Sequence, residues 1–379
     1  MKYLMLRKEV TLSAITLAIS ALWGTAALAK DPVGLLYTMS NEVTLNKVLV
    51  YQRAANGSLT KISAFSTGGK GTGTGLGNQS GLTMDAANHC LYVVNAGSND
   101  ISSFTINANG LVLASQVRSG GKRPVSITVN RNLLYVLNAG GAVGDSDNIS
   151  GFTVERDCKM TALGKSKRAL SATNTGPAQV LFNPDGDVLV VTEKATNNIL
   201  TFRVDSTTGL ASNRKVQVSA SATPFGMNFG KRNQLFVTEA VGGTANASTV
   251  SSYALKPNGE LRLITSALGT KNTAACWVVV SNDGRFAYIT NTASHTISGL
   301  DIAFNGKVSL LNNNGISADT GTGTTPVDLA LSNSGLHLYA LDNTQSSIAA
   351  FRVDLNTGAL TSVSGATGLP PGANGLVVR

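Results

Sequence analysis

One short strand motif recurs seven times along the chain, and no other feature limits the possible folds so tightly. It reads Leu36-Tyr37-Thr38, Tyr92-Val93-Val94-Asn95, Tyr135-Val136-Leu137-Asn138 and Val190-Val191-Thr192-Glu193. It continues as Phe236-Val237-Thr238-Glu239, Tyr288-Ile289-Thr290-Asn291 and Tyr339-Ala340-Leu341-Asp342. The first positions (37, 92, 135, 190, 236, 288 and 339) lie 43 to 55 residues apart, so seven units fill residues 30–379.

Each unit holds four strand-like pieces, here called A to D, the motif being B. Strand A often opens on proline, as at Pro124, Pro177, Pro224 and Pro326, and is apolar almost throughout. Turns such as Asn183-Pro184-Asp185-Gly186 lead into B. Strand C ends on an aromatic or apolar residue: Phe104, Phe152, Phe202, Tyr253, Leu300 or Phe351. Glycine turns at Asn109-Gly110, Thr208-Gly209, Asn258-Gly259 and Thr357-Gly358 start D, supplying the positive φ that tight hairpins need. No helix-period segment separates the pieces.

A lone blade cannot bury both its faces, whereas a ring packs each face on a neighbour. The expected fold is therefore all-β, a seven-bladed β-propeller of four-stranded antiparallel blades. Blade one has no A strand before Tyr37, and Pro371–Val378 has the A pattern without a B strand after it. Residues 374–379 are expected to close the ring as the innermost strand of blade one.

Residues 1–29 read as a cleaved export signal. Lys2, Arg7 and Lys8 precede an apolar stretch from Leu12 to Leu22, and Ala27-Leu28-Ala29 gives the small-x-small cleavage pattern. The mature chain, 30–379, is then one domain, periplasmic or secreted. No later stretch is apolar enough for a transmembrane segment. The net charge of +9 falls to +7 without the leader. The basic residues are scattered, with Lys165, Lys167 and Arg168 the densest group, so no nucleic-acid partner is expected. Three cysteines cannot make a disulfide framework. Cys90 and Cys158 fall on one disc face in adjacent blades, where pairing is open; Cys276 reads as a buried thiol.

At these residues the chain resembles the seven-bladed lactonase family, with its 6-phosphogluconolactonase and 3-carboxymuconate cyclase relatives. The Tyr-Val-x-Asn strands and Pro-Asp-Gly turns carry the likeness across the mature chain. A secreted lactonase-like group is more similar still, through Gly71–Ser80, Val191–Asn197, Thr223–Gly226 and Thr273–Trp277. The resemblance implies an active site in which His and Arg open inner strands and a Glu comes from a B strand. The family's Gly-Pro-Arg-His corresponds to Gly176-Pro177-Ala178-Gln179, so both side chains are missing, while the acidic partner stands as Glu193. A His-x-His pattern is likewise replaced by Arg123-Pro124-Val125-Ser126. His89, His295 and His337 are spread over three blades and read as surface or turn residues.

Strand A begins and strand B ends on the same face of the disc, the entry face. The B exits there are Ser40, Asn95, Asn138, Glu193, Glu239, Asn291 and Asp342. Asn and Asp serve turns readily, but the two glutamates do not, which makes Glu193 and Glu239 the catalytic candidates, with Glu193 as general base. The third A-strand positions are Gly81, Ser126, Gln179, Gly226, Trp277, Asp328 and Gly375. Of these, Gln179, Trp277 and Asp328 are ligand-binding candidates, joined by Gln79 and by Arg123 and Lys194 as cationic partners. The Gly-rich stretch Gly68–Gly81 lacks the order of a phosphate loop and reads as a flexible rim or lid. Asp145-Ser146-Asp147 lacks the further ligands of a calcium loop, so no metal is expected, and no cofactor.

The expected function is binding of a small-molecule lactone, a glycan or a surface protein at one mouth of the channel, by a monomer. The alternative is a lactone hydrolase or cycloisomerase acting on an unphosphorylated lactone with Glu193 as base.

Overall fold

A computed structural model describes residues 33–140 and 146–379. The expected leader, residues 1–29, and Asp145 lie outside the described residues. Seven antiparallel sheets follow one another along the chain, each with neighbouring strands in the order A-B-C-D. Blade four is representative: Pro177–Phe182, Val188–Glu193, Asn198–Arg203 and Lys215–Val218. In blades three and six the outer strand is split into two short pieces, Met160–Ala162 with Arg168–Ala169 and Val308–Leu310 with Ala318–Asp319.

The ring closes as expected. Asn374–Val378 pairs antiparallel with Gly34–Met39, the B strand of blade one, and Leu35 and Arg379 exchange backbone hydrogen bonds at 3.1 and 2.8 Å. Closure covers the inner edge of that sheet, which would otherwise present unpaired backbone groups.

Strand B is buried along its whole length in blades two, four, five, six and seven, as a strand packed on both faces must be. Polar links between blades repeat as well. A hydroxyl on one blade donates to the carbonyl of the C–D turn of the next: Ser103 to Cys158 (2.6 Å), Tyr135 to Gly209 (2.8 Å) and Thr201 to Gly259 (2.6 Å). Ser252 to Gly306 (2.7 Å), Tyr288 to Gly358 (3.0 Å) and Tyr339 to Gly57 (2.8 Å) continue the series. In blades three, six and seven the motif tyrosine thus serves the core with its ring and the neighbouring blade with its hydroxyl.

Blades two and three are also joined covalently by a Cys90–Cys158 disulfide. Strand B of blade two starts where the C–D turn of blade three arrives, which the spacing alone did not require. Cys276 is a buried free thiol. His337 departs from the surface or turn reading: it opens the B strand of blade seven and is fully buried. Its ring lies under the C–D turn of blade one, where a β-carbon on Gly57 would come within 2.3 Å of it.

Candidate functional site

The B-exit residues form the expected ring, and all seven are buried. Several turn polar atoms towards the connection that enters their own blade, whereas Ser40 and Asn291 bond to the start of their own strand C. Asn95 accepts from the Thr67 hydroxyl at 2.8 Å, Asn138 donates to the Ser119 carbonyl at 3.2 Å, and Asp342 accepts from the Thr325 N–H at 2.9 Å. Glu193 follows the same pattern. It accepts the Ser171 N–H at 2.9 Å, the Ser171 hydroxyl, and the Thr196 hydroxyl at 2.5 Å. Glu239 accepts from Ser219 (2.9 Å), Thr249 (2.7 Å) and Ser251 (3.0 Å). Burial raises the pKa of Glu239, and these hydroxyls oppose the rise. Both carboxylates therefore stand in adjacent blades, each engaged by at least three donors from its own blade and the connection entering it.

The third A-strand residues surround the channel, where the innermost strands would otherwise leave N–H groups bare. Side chains of one blade cap the strand of the next. Ser126 accepts the Val180 N–H at 3.1 Å, and Gln179 accepts that of Met227 at 2.6 Å. Asp328 accepts the Leu329 N–H at 2.8 Å and also that of Leu376. Burial holds the Asp328 carboxyl well above the usual carboxylate range, against these two hydrogen bonds.

Blade five offers only Gly226 at this position, and Gln79 takes over the task from outside the blade. Its amide accepts the Val278 N–H at 3.2 Å and donates to the Val278 carbonyl at 2.8 Å. Neighbouring Asn78 donates to the Val125 carbonyl and receives a bond from Asn374 at 3.1 Å, while its own carbonyl accepts the Trp277 indole N–H at 2.7 Å. The Gly-rich connection thus dives into the entry mouth and stoppers it. Elsewhere it is fastened by Asn41, whose side chain reaches Thr72, Thr74 and Gly372, and by Gly71 N–H to Glu42 O at 2.8 Å. A flexible rim was expected; a pinned plug is found. Glycine permits this because Gly71 and Gly97 approach other backbone so closely that a β-carbon would stand 2.1 Å from it.

Beside the plug, Lys194 lies over the Phe225 ring at 4.7 Å from its centroid and donates to the Gly77 carbonyl. Phe225 packs on Trp277 at 4.9 Å between centroids. Burial lowers the lysine pKa to about 8 and raises that of neighbouring Cys276 to about 11. Arg123 stands exposed, with a left-handed backbone (φ 51°), and adds to the depression of Lys194. The structure brings Gln79, Gln179, Trp277 and Asp328 together around the channel, and Lys194 beside them. Glu193 and Glu239 are turned away into their blades.

The channel opens on the other face. A cavity of about 290 Å³ there is walled by five blades, with Gln79 and Asp328 at its inner end and Thr83 and Asn228 along it. A wider hollow of about 500 Å³ shares Asn228, Val279 and Leu331 with it and carries Lys231 and Arg232. Asn78 and Asn228 were not singled out from the sequence. Neither stands out by residue type, and only knowing that the connection enters the channel would have marked Asn78.

Of the remaining candidates, Asp147 binds the N–H and hydroxyl of Thr175 at 2.6 and 2.7 Å, a bond that fixes the connection into blade four. No helix among the described residues is long and apolar enough to cross a membrane.

A family model described as "Lactonase, 7-bladed beta-propeller" matches residues 28–176 and 70–373. No curated protein matches the chain. Among solved structures, a Bacteroides uniformis protein provisionally assigned as a 6-phosphogluconolactonase is 17% identical, with a TM-score of 0.73 over 91% of this chain and 99% of its own. A Bacteroides fragilis protein with the same provisional assignment is 17% identical, with a TM-score of 0.71 over 91% and 98%. The periplasmic gluconolactonase of Pseudomonas aeruginosa is 17% identical, with a TM-score of 0.70 over 90% and 98%. At this identity the likeness is one of fold.

Proposed function

This chain belongs to the seven-bladed β-propeller lactonase family, and we propose that it is an exported, monomeric member that binds a small polar ligand without turning it over. The ligand is a lactone, a sugar or the end of a glycan, held in the channel mouth opposite the plug. One observation carries this reading: the entry mouth is filled by Asn78 and Gln79, while a cavity of about 290 Å³ reaches Gln79 from the other side. A concave site with a largely polar lining, on which Gln79, Thr83, Asn228 and Asp328 converge, suits such a ligand. The export signal expected in residues 1–29 and the Cys90–Cys158 disulfide both favour an oxidising compartment.

Family membership supports a second reading, hydrolysis of an unphosphorylated lactone. Glu193 would then act as general base after release from Ser171 and Thr196, and Lys194 or Arg123 would meet the developing oxyanion. The geometry favours binding, because a carboxylate already accepting three hydrogen bonds has little capacity left to activate water.

Titration calorimetry of the mature protein with gluconolactone, gluconate and monosaccharides tests the proposal, run beside Thr83→Trp, which fills the cavity. Binding that vanishes in a folded Thr83→Trp protein is the expected result. Binding of equal strength in the variant would move the ligand elsewhere.

A further inference from the structure

Among the described residues, one group of side chains brings three potential metal donors together: His89, Cys90 and Cys158, with donor atoms all within 4.8 Å of one another. The two sulfurs are joined as the inter-blade disulfide. His89 has no part in that bond. It is exposed, its Nε2 lying 3.1 Å from the Arg156 carbonyl.

Two further observations bear on the group. Cys158 occupies the left-handed position of its C–D turn, at φ 67°, where blades one, four, five, six and seven have Gly57, Gly209, Gly259, Gly306 and Gly358. A side chain there carries a conformational cost that the other blades avoid. In addition, a hollow of about 450 Å³ between blades two and three is lined by both His89 and Cys90. The hollow gives a path to Cys90 and leaves room for water as a fourth ligand.

We infer that the Cys90–Cys158 disulfide is the oxidised form of a site for a thiophilic d¹⁰ ion of the zinc class. Two thiolates and one imidazole are a usual partial set for such an ion, completed by water or a carboxylate. The reductant is a small thiol. Its thiolate attacks the Cys90 sulfur, breaking the S–S bond and releasing the Cys158 thiolate. A second thiol then displaces Cys90 from the mixed disulfide, leaving the reductant oxidised by two electrons and both cysteines reduced. The ion binds with loss of the thiol protons; exchange with a small-molecule disulfide, which takes up the two electrons and leaves as two thiols, re-forms the Cys90–Cys158 bond and expels the ion.

The test uses cadmium as probe, because its thiolate complexes have an ultraviolet charge-transfer band. The mature protein is reduced with a phosphine, which leaves no competing thiol, and titrated with cadmium. One equivalent bound by the reduced protein and none by the oxidised protein is expected, with affinity at least about tenfold weaker in His89→Ala. No band after reduction would overturn the inference. So would an unchanged affinity in His89→Ala, or loss of the native circular dichroism on reduction, since the site needs both blades docked without the disulfide.

Discussion

Gln79 fills the space that Gly226 leaves empty: a β-carbon built on Gly226 would stand 2.2 Å from Gln79 Oε1. The two residues belong to different blades, and their fit lets one loop amide satisfy both backbone groups of Val278 in a third. Plug and channel are therefore matched parts. Gly226→Ala must displace that amide, and no relief comes from the backbone, whose φ is not in the left-handed region. A loss of about 3 kcal/mol is expected, combining overpacking with an unsatisfied buried amide. Urea unfolding of the variant measures it, and a cost under about 1 kcal/mol would mean that the plug adjusts freely.

Ring closure by Asn374–Val378 makes its own forecast. Removing residues 374–379 strips the inner strand from blade one and exposes the B strand Gly34–Met39 along one edge. Cooperative thermal unfolding should be lost or fall to a much lower temperature. An unchanged melting curve would show that the closing strand contributes nothing.

The disulfide spans 68 residues of sequence. Chain-entropy arguments give about 4 kcal/mol for a loop of that size. Denaturant unfolding with and without reductant should differ by that order, with the wild type becoming equivalent to Cys158→Ser once reduced. The Ser variant separates loss of the bond from any other action of the reductant.

Asp328 gives a pH signature. Its folded pKa is raised well above the unfolded value of 3.8 by burial. The folded state then holds the proton more tightly, so this contribution is fully present below pH 3.8 and is lost as pH rises through the folded value. Asp328→Asn keeps an acceptor for Leu329 and Leu376 and cannot ionise. Its stability relative to wild type should therefore increase with pH above 3.8. A difference that stays flat across urea titrations at several pH values would remove desolvation as the cause.

Lys194 behaves in the opposite sense. Its folded pKa of about 8 lies below the ordinary 10.5 of lysine. The unfolded chain holds the extra proton between those values, so stability should rise with pH across that window and the rise should vanish in Lys194→Met. Measuring both proteins at pH values on either side of 8 is sufficient.

The blade count, strand order and closing strand were legible because all three are consequences of a repeat register. The same register identified the columns that meet at the channel, including Gln179, Trp277 and Asp328. What those side chains do there depends on partners in other blades. The Met227 N–H lies 48 residues from Gln179 and the Val278 N–H 199 from Gln79. The same column holds Gly81, Gly226 and Gly375, which bring no side chain to the axis. In the fold, Gly226 receives Gln79, Gly81 faces Asn374, and Gly375 approaches the backbone of Leu82. Glu193 and Glu239 stood out because they break a column of Asn and Asp. Their longer side chains instead reach hydroxyls on the incoming connection and within their own blade, a role that residue type alone does not reveal.

The proposed role of this propeller is to hold a ligand without turning it over, because Glu193 is committed to hydrogen bonds with Ser171 and Thr196. It is tested most directly by pH-stat measurement of the mature protein with a panel of unphosphorylated lactones, beside Glu193→Gln. No saturable acid release above the uncatalysed rate, from either folded protein, is the result predicted. Saturable turnover by the wild type that collapses in Glu193→Gln would contradict the claim and make that carboxylate the general base of a lactone hydrolase.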